Sequence, residues 1–129
     1  MSLKHTITTS VRSDAGAGIS DQAIITGDAE VNVGDVALAG TVREIDVAVD
    51  VSLIASFYIE SDQPVTVNTN IQATPAQTFD LVAKVGLLWN TARHDTNPLT
   101  VDITKLFFDN TSGLVDANVK CGFLVNVGS

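Results

Sequence analysis

Glu44 and Asp46 stand two residues apart in a stretch of alternating character, and Asp50 follows with the same parity, so the three carboxylates share one face of an extended chain. Neighbours placed in this way lie about 7 Å apart. Carboxylates at such separations bind calcium, or divide acid and base roles on a glycoside, where they sit about 5–10 Å apart. The competing reading is a solvated sheet face. It is favoured because a sugar-cleaving cleft needs aromatic platforms and only 5% of the residues are aromatic.

The other chemistry-bearing residues are isolated. His94 and Asp95 fall in Asn90-Thr91-Ala92-Arg93-His94-Asp95-Thr96-Asn97-Pro98, which reads as an exposed loop between strands. His5 lies near the N-terminus, and neither histidine has a second His or Cys at metal-ligand spacing. A Ser-His-Asp set is a matter of space rather than sequence order, and no Gly-x-Ser-x-Gly elbow points to one. Cys121 alternates with apolar neighbours, which suits a small buried hydrophobe better than a nucleophile. Gly16-Ala17-Gly18 lacks the third glycine and the lysine of phosphate-binding loops. Asn110-Thr111-Ser112 matches the N-glycosylation triplet by chance. Trp89, the single tryptophan, reads as core packing, with a contact surface as the alternative. No catalytic residue, cofactor or metal site is assigned; Glu44, Asp46, Asp50, His94 and Asp95 remain the weak metal candidates.

Composition narrows the partners. Fifteen acidic against seven basic residues give a formal charge of −8, which repels a phosphate backbone, so nucleic acid is not an expected partner. That charge keeps an apolar-rich chain soluble and suits a basic protein surface. One cysteine excludes an internal disulfide. The N-terminus lacks the apolar core of a signal peptide and no stretch is apolar for long enough to span a bilayer as a helix, so a protein made in a cytoplasm, without membrane association, is expected.

The elements that would position these groups are strands. With 45% hydrophobic and 17% charged residues, the 129-residue chain has the composition of one folded domain. Ile45, Val47, Val49, Val51 and Leu53 alternate with polar or small residues, and the run continues to Ile59, so long that a break or bulge is expected inside it. Val65, Val67 and Ile71 continue the pattern after Pro64. Leu99, Val101 and Ile103 make one later strand and Val119 to Val127 another, around the turn Asp109-Asn110-Thr111-Ser112-Gly113. Thr6 to Val11 and Ile24 to Val33 supply two or three more, with residues 1–20 a flexible or swapped N-terminal arm. Thr74-Pro75-Ala76-Gln77 resembles a helix start, but the alternation from Leu81 to Trp89 and the placement of Gly86 favour a strand. The expected fold, over residues 1–129, is an all-β antiparallel sandwich of seven to nine strands, with a jelly roll as one form of it.

The runs Phe57 to Val67, Leu87-Leu88-Trp89-Asn90 and Thr104 to Asn110 resemble small virion proteins of tailed bacteriophages, in which a Pro-Val-Thr-Val strand precedes a later Leu-Phe-aromatic-x-Asn strand. The resemblance covers the second half of the chain and is one of style, without an invariant signature. It implies a β-sandwich located in the virion, a non-enzymatic capsid decoration, cement or tail protein. Such a protein is expected to form a homo-oligomer, often a trimer, and to dock on other virion proteins. The alternative from the residues alone is a ligand-binding β-sandwich, carbohydrate or calcium dependent.

Overall fold

The structure, a computed structural model, describes residues 3–12, 16, 18–27, 29–92 and 95–126. Among them the chain forms ten strands: β1 (Leu3–Arg12), β2 (Gly18–Gly27), β3 (Ala29–Ala37), β4 (Val42–Val49), β5 (Ile54–Ser61), β6 (Val65–Thr69), β7 (Thr78–Leu81), β8 (Leu87–Asn90), β9 (Ile103–Asp109) and β10 (Ala117–Val125). The expected all-β antiparallel sandwich is the fold. β1 and β2 pair as a separate hairpin; the other eight make two four-stranded sheets, ordered β3-β10-β5-β8 and β4-β9-β6-β7. Every strand pair is antiparallel. From β3 onwards the chain changes sheet at each connection except β6 to β7, which is jelly-roll topology.

Alternation builds the core. Phe57, Ile59, Phe123, Cys121 and Val119 point inward from one sheet and Phe108, Leu106 and Val67 from the other, all but inaccessible to water. Phe57 and Phe123 stack across β5 and β10 with centroids 6.0 Å apart. Each large side chain so buried contributes about 1.5–3 kcal/mol relative to exposure.

The long run from Ile45 to Ile59 is two strands in different sheets. Asp50 caps a 3-10 turn, Val51–Leu53, that carries the chain from β4 across to β5. Residues 99–102, expected as strand, are irregular, and β9 starts only at Ile103. Leu99 is buried there without pairing, because the side chain of Gln77 takes the amides of Thr100 and Val101 at 2.9 and 3.3 Å. The stretch from Leu81 to Trp89 is strand at both ends, broken by a tight turn in which Val85 N–H donates to the Val82 carbonyl and Lys84 takes a φ of 63°. Residues 74–77 are not helical. Gln77 is instead pinned to Thr69, whose hydroxyl accepts from its amide at 2.9 Å.

Of residues 1–20, expected as a flexible or swapped arm, residues 3–12 form β1 and residues 18–20 start β2. The hairpin runs in unbroken register from Leu3 opposite Gly27 to Arg12 opposite Gly18.

Candidate functional site

The outward face of the β3-β10-β5-β8 sheet is where polar side chains converge. Register places Glu30, Leu124, Ser56 and Asn90 in one row across it, and Asn32, Gly122, Tyr58 and Leu88 in the next. Gly122 has no side chain, so the ring of Tyr58 lies over it; a Cβ there would stand 2.7 Å from Tyr58 Cε1. The base of the hairpin covers the first row. Ile25 is buried against Leu124 and Ala55, with Leu3 and Ile7 packed beside them. Gly27 permits that approach, since a Cβ would meet Leu124 Cγ at 2.8 Å.

His5 locks the cover in place. Its Nδ1 is 2.7 Å from Ser56 Oγ on β5 and its Nε2 is 3.0 Å from Glu30 Oε1 on β3, while its ring centroid lies 5.8 Å from that of Tyr58. With the proton on Nε2, Ser56 donates to Nδ1 and the imidazole donates to the carboxylate, which satisfies all three groups. Burial, together with the negative charge of Glu30, pushes the Tyr58 phenol above its ordinary value. A cavity of about 330 Å³ opens beside the imidazole, lined by Lys4, Ile7, Ser56, Tyr58, Leu88 and Asn90.

Hydroxyl, imidazole and carboxylate in series have the connectivity of an activated nucleophile. The setting argues for a latch. Ser56 lies in the middle of a strand laddered on both flanks, to Leu124 and to Asn90, so local backbone amides are committed to the sheet rather than free to receive an oxyanion.

Among the described residues the weak metal candidates are not brought together. Glu44 and Asp46 lie on the exposed face of β4, where Lys105 Nζ reaches them at 3.3 and 3.8 Å. Asp50 turns to its own segment: the Ser52 hydroxyl at 2.6 Å and amide at 3.0 Å hold its carboxyl below the usual range. His94 lies outside the described residues. The carbonyl of Asp95 accepts from Trp89 Nε1 at 2.9 Å, and Trp89 packs against the core. Among the described residues no three His, Cys, Asp or Glu side chains converge on a metal-sized site.

Cys121 is buried, and burial raises its thiol pKa to about 12. Asn110, the residue of the glycosylation triplet, is 2% exposed. Its amide donates to the carbonyls of Ala37 at 2.9 Å and Val115 at 3.0 Å, tying the loop after β3 to the loop before β10. Those loops present Leu38, Leu114 and Val115 to solvent at one end of the sandwich.

Sequence reasoning gives Ser56 and Glu30 no role, sets His5 aside as an isolated histidine and sees in Asn110 only a turn and a chance glycosylation triplet. Ser56 and Glu30 stand 51 and 25 residues from His5 in the chain, and no local spacing announces the trio. Asn110 carried a visible signal, an Asn closing the aromatic run of β9 before a turn. Compared with known proteins, the chain matches no family model, no curated protein and no solved structure.

Proposed function

We propose that this chain is a non-enzymatic structural protein of a virus particle, a self-assembling capsid decoration, cement or tail component of the tailed-bacteriophage type. It is made in the host cytoplasm and incorporated by contact with other virion proteins. The observation that carries this reading is the hairpin. The described side chains that dock it on the sandwich, Leu3, His5, Ile7 and Ile25, together with Gly27, belong to the half next to β3, and the ladder continues in register for five further rungs. A two-stranded ribbon is marginal alone in water, so a ribbon this long favours a second surface to lie against.

The jelly roll is compatible with such a role, being common among capsid domains, although lectins share it and fold alone does not decide function. The resemblance of the β5–β6 and β9 sequences to virion proteins points the same way. Stabilisation by such a protein needs no chemistry. A specific interface of about 1,200–2,000 Å² suffices for stable docking, and a ligand at a hundred times its Kd stabilises the bound state by about 2.7 kcal/mol.

Purified chain should co-sediment with particles from its source that have been stripped of peripheral proteins, and should raise the temperature at which they release DNA. Failure to bind both stripped capsids and tails would overturn the reading.

A further inference from the structure

The outward face of β5 and β8 is incompletely filled. Ser56 stands opposite Asn90 on it, and Tyr58 opposite Leu88. Tyr58 lies over Gly122 on the β10 side, in the space a side chain there would take, and so leaves the β8 side open. β1 supplies the facing wall through His5 and Ile7. The gap between them is the cavity of about 330 Å³ beside the imidazole, a volume within the range of small-molecule sites.

The walls are chiefly apolar, from Ile7, Leu88 and the Tyr58 ring. Among the polar groups, Ser56 and His5 are bonded to each other and onward to Glu30. Asn90 is left with hydrogen-bonding capacity unused. It is only 4% exposed, and its Oδ1 accepts the Ala92 amide at 3.0 Å, which assigns the other end of the group as the nitrogen. Among the described residues that Nδ2 meets no acceptor, and Asn90 lines the cavity. A donor left unmade in so buried a place is costly, so the site calls for an acceptor.

We propose that this cavity binds a small neutral molecule whose apolar ring or branched chain lies against Ile7 and Leu88 and whose single carbonyl oxygen accepts from Asn90 Nδ2. The class follows from the lining. One spare donor asks for one strong acceptor. A sugar would set several hydroxyls against Ile7 and Leu88 with nothing to bond them. An anion would bring charge towards the Glu30 carboxylate on a chain of net charge −8, and Lys4, of opposite parity to His5 on β1, belongs to the other face of the hairpin. Water would satisfy Asn90 and leave the apolar walls wetted; a molecule that serves both displaces it. This binding site goes beyond the proposed structural role and does not depend on it.

Acetophenone and α-methylstyrene share a shape and differ in carrying C=O or C=CH2, which makes them the probes, titrated into the full isotope-labelled chain and followed by amide NMR. Acetophenone should shift the signals of Ile7, Tyr58 and Leu88 and the side-chain amide of Asn90. It should bind about tenfold more tightly than α-methylstyrene, the worth of one hydrogen bond. Benzoate and methyl glucoside should bind more weakly than acetophenone. Asn90→Asp keeps the acceptor for Ala92 and removes the donor, so the preference for acetophenone should vanish. Leu88 is exposed, so Leu88→Trp narrows the cavity without entering the core and should weaken both probes at least about tenfold. Should Asn90→Asp fail to fold, the matched probes and Leu88→Trp decide alone. The absence of shifts at these residues with acetophenone, equal affinity for acetophenone and α-methylstyrene, undiminished binding by Leu88→Trp, or benzoate or glucoside matching acetophenone would overturn the assignment. Each of those results would leave the virion reading, which rests on the hairpin, standing.

Discussion

Ser56 Oγ and His5 Nδ1 lie 2.7 Å apart although 51 residues separate them in the chain. This bond, with its continuation to Glu30 at 3.0 Å, is the polar tie between the hairpin and the sandwich among the described residues. The apolar part of the same joint is small, Ile25 with Leu3 and Ile7 over Leu124 and Ala55.

Removing the tie should therefore loosen the hairpin and spare the sandwich. His5→Ala leaves a part-buried serine and carboxylate without their imidazole, a local cost of about 1–3 kcal/mol. Amide exchange in residues 3–12 and 18–27 should accelerate tenfold or more while β5, β9 and β10 keep their protection. Ser56→Ala should have the same direction and a smaller effect. Unchanged exchange in both variants would show that the trio does not hold the hairpin.

Asn110 fastens the opposite end of the molecule. Asn110→Ala leaves the carbonyls of Ala37 and Val115 without this donor, costing about 1–3 kcal/mol. Gly113→Ala should be comparably damaging, because a methyl at that position overlaps the Asn110 amide. In thermal unfolding each variant should lose roughly 5–15 °C of Tm.

Acid should act late. Asn118 donates its backbone amide and its side-chain amide to Asp62 at 2.8 and 3.0 Å, holding that carboxyl below its ordinary value of 3.8. Burial pushes Asp109 upward, but the Thr111 hydroxyl and amide, with Gln72, outweigh it and leave the carboxyl lowered as well. A carboxyl depressed on folding contributes stability that is complete above the unfolded value and is lost as pH falls through the folded one. Stability should thus hold from neutrality down to about pH 5 and fall below pH 4. Asp62→Asn should lower Tm at pH 7 and flatten the acid limb.

Cys121 offers a probe of opening. A thiol whose pKa stands at about 12, buried between Val33 and Ile59, should not react with a disulfide reagent at pH 8 in the folded protein. Its modification should follow the rate of unfolding and jump in denaturant. Rapid labelling without denaturant would contradict the placement of β10 at the centre of its sheet.

Strand alternation made much of this fold legible. The inward residues of β4, β5, β6 and β10 follow the period of two seen in Ile45, Val47 and Val49, in Val65 and Val67, and in Val119, Cys121 and Phe123. Periodicity does not mark a change of sheet, so the crossing at Val51–Leu53 showed only as a run too long for one strand. It also misplaced the strand before the Asp109 turn, since Leu99, Val101 and Ile103 alternate while side-chain bonds from Gln77 hold that backbone away from any ladder. The His5 cluster was illegible because it is assembled by the hairpin folding back over β3 and β5, a tertiary event with no local spacing. The acidic stripe Glu44, Asp46, Asp50 was legible only as a pattern; the sheet crossing takes Asp50 away from the other two.

The most direct test of the account counts copies of the chain, by quantitative mass spectrometry, in density-gradient-purified virus particles from the source of the sequence. Many copies per particle are expected, retained through the gradient in a fixed ratio to the major shell or tail protein. Recovery only in the soluble fraction, with none above background in the particle band, would contradict it.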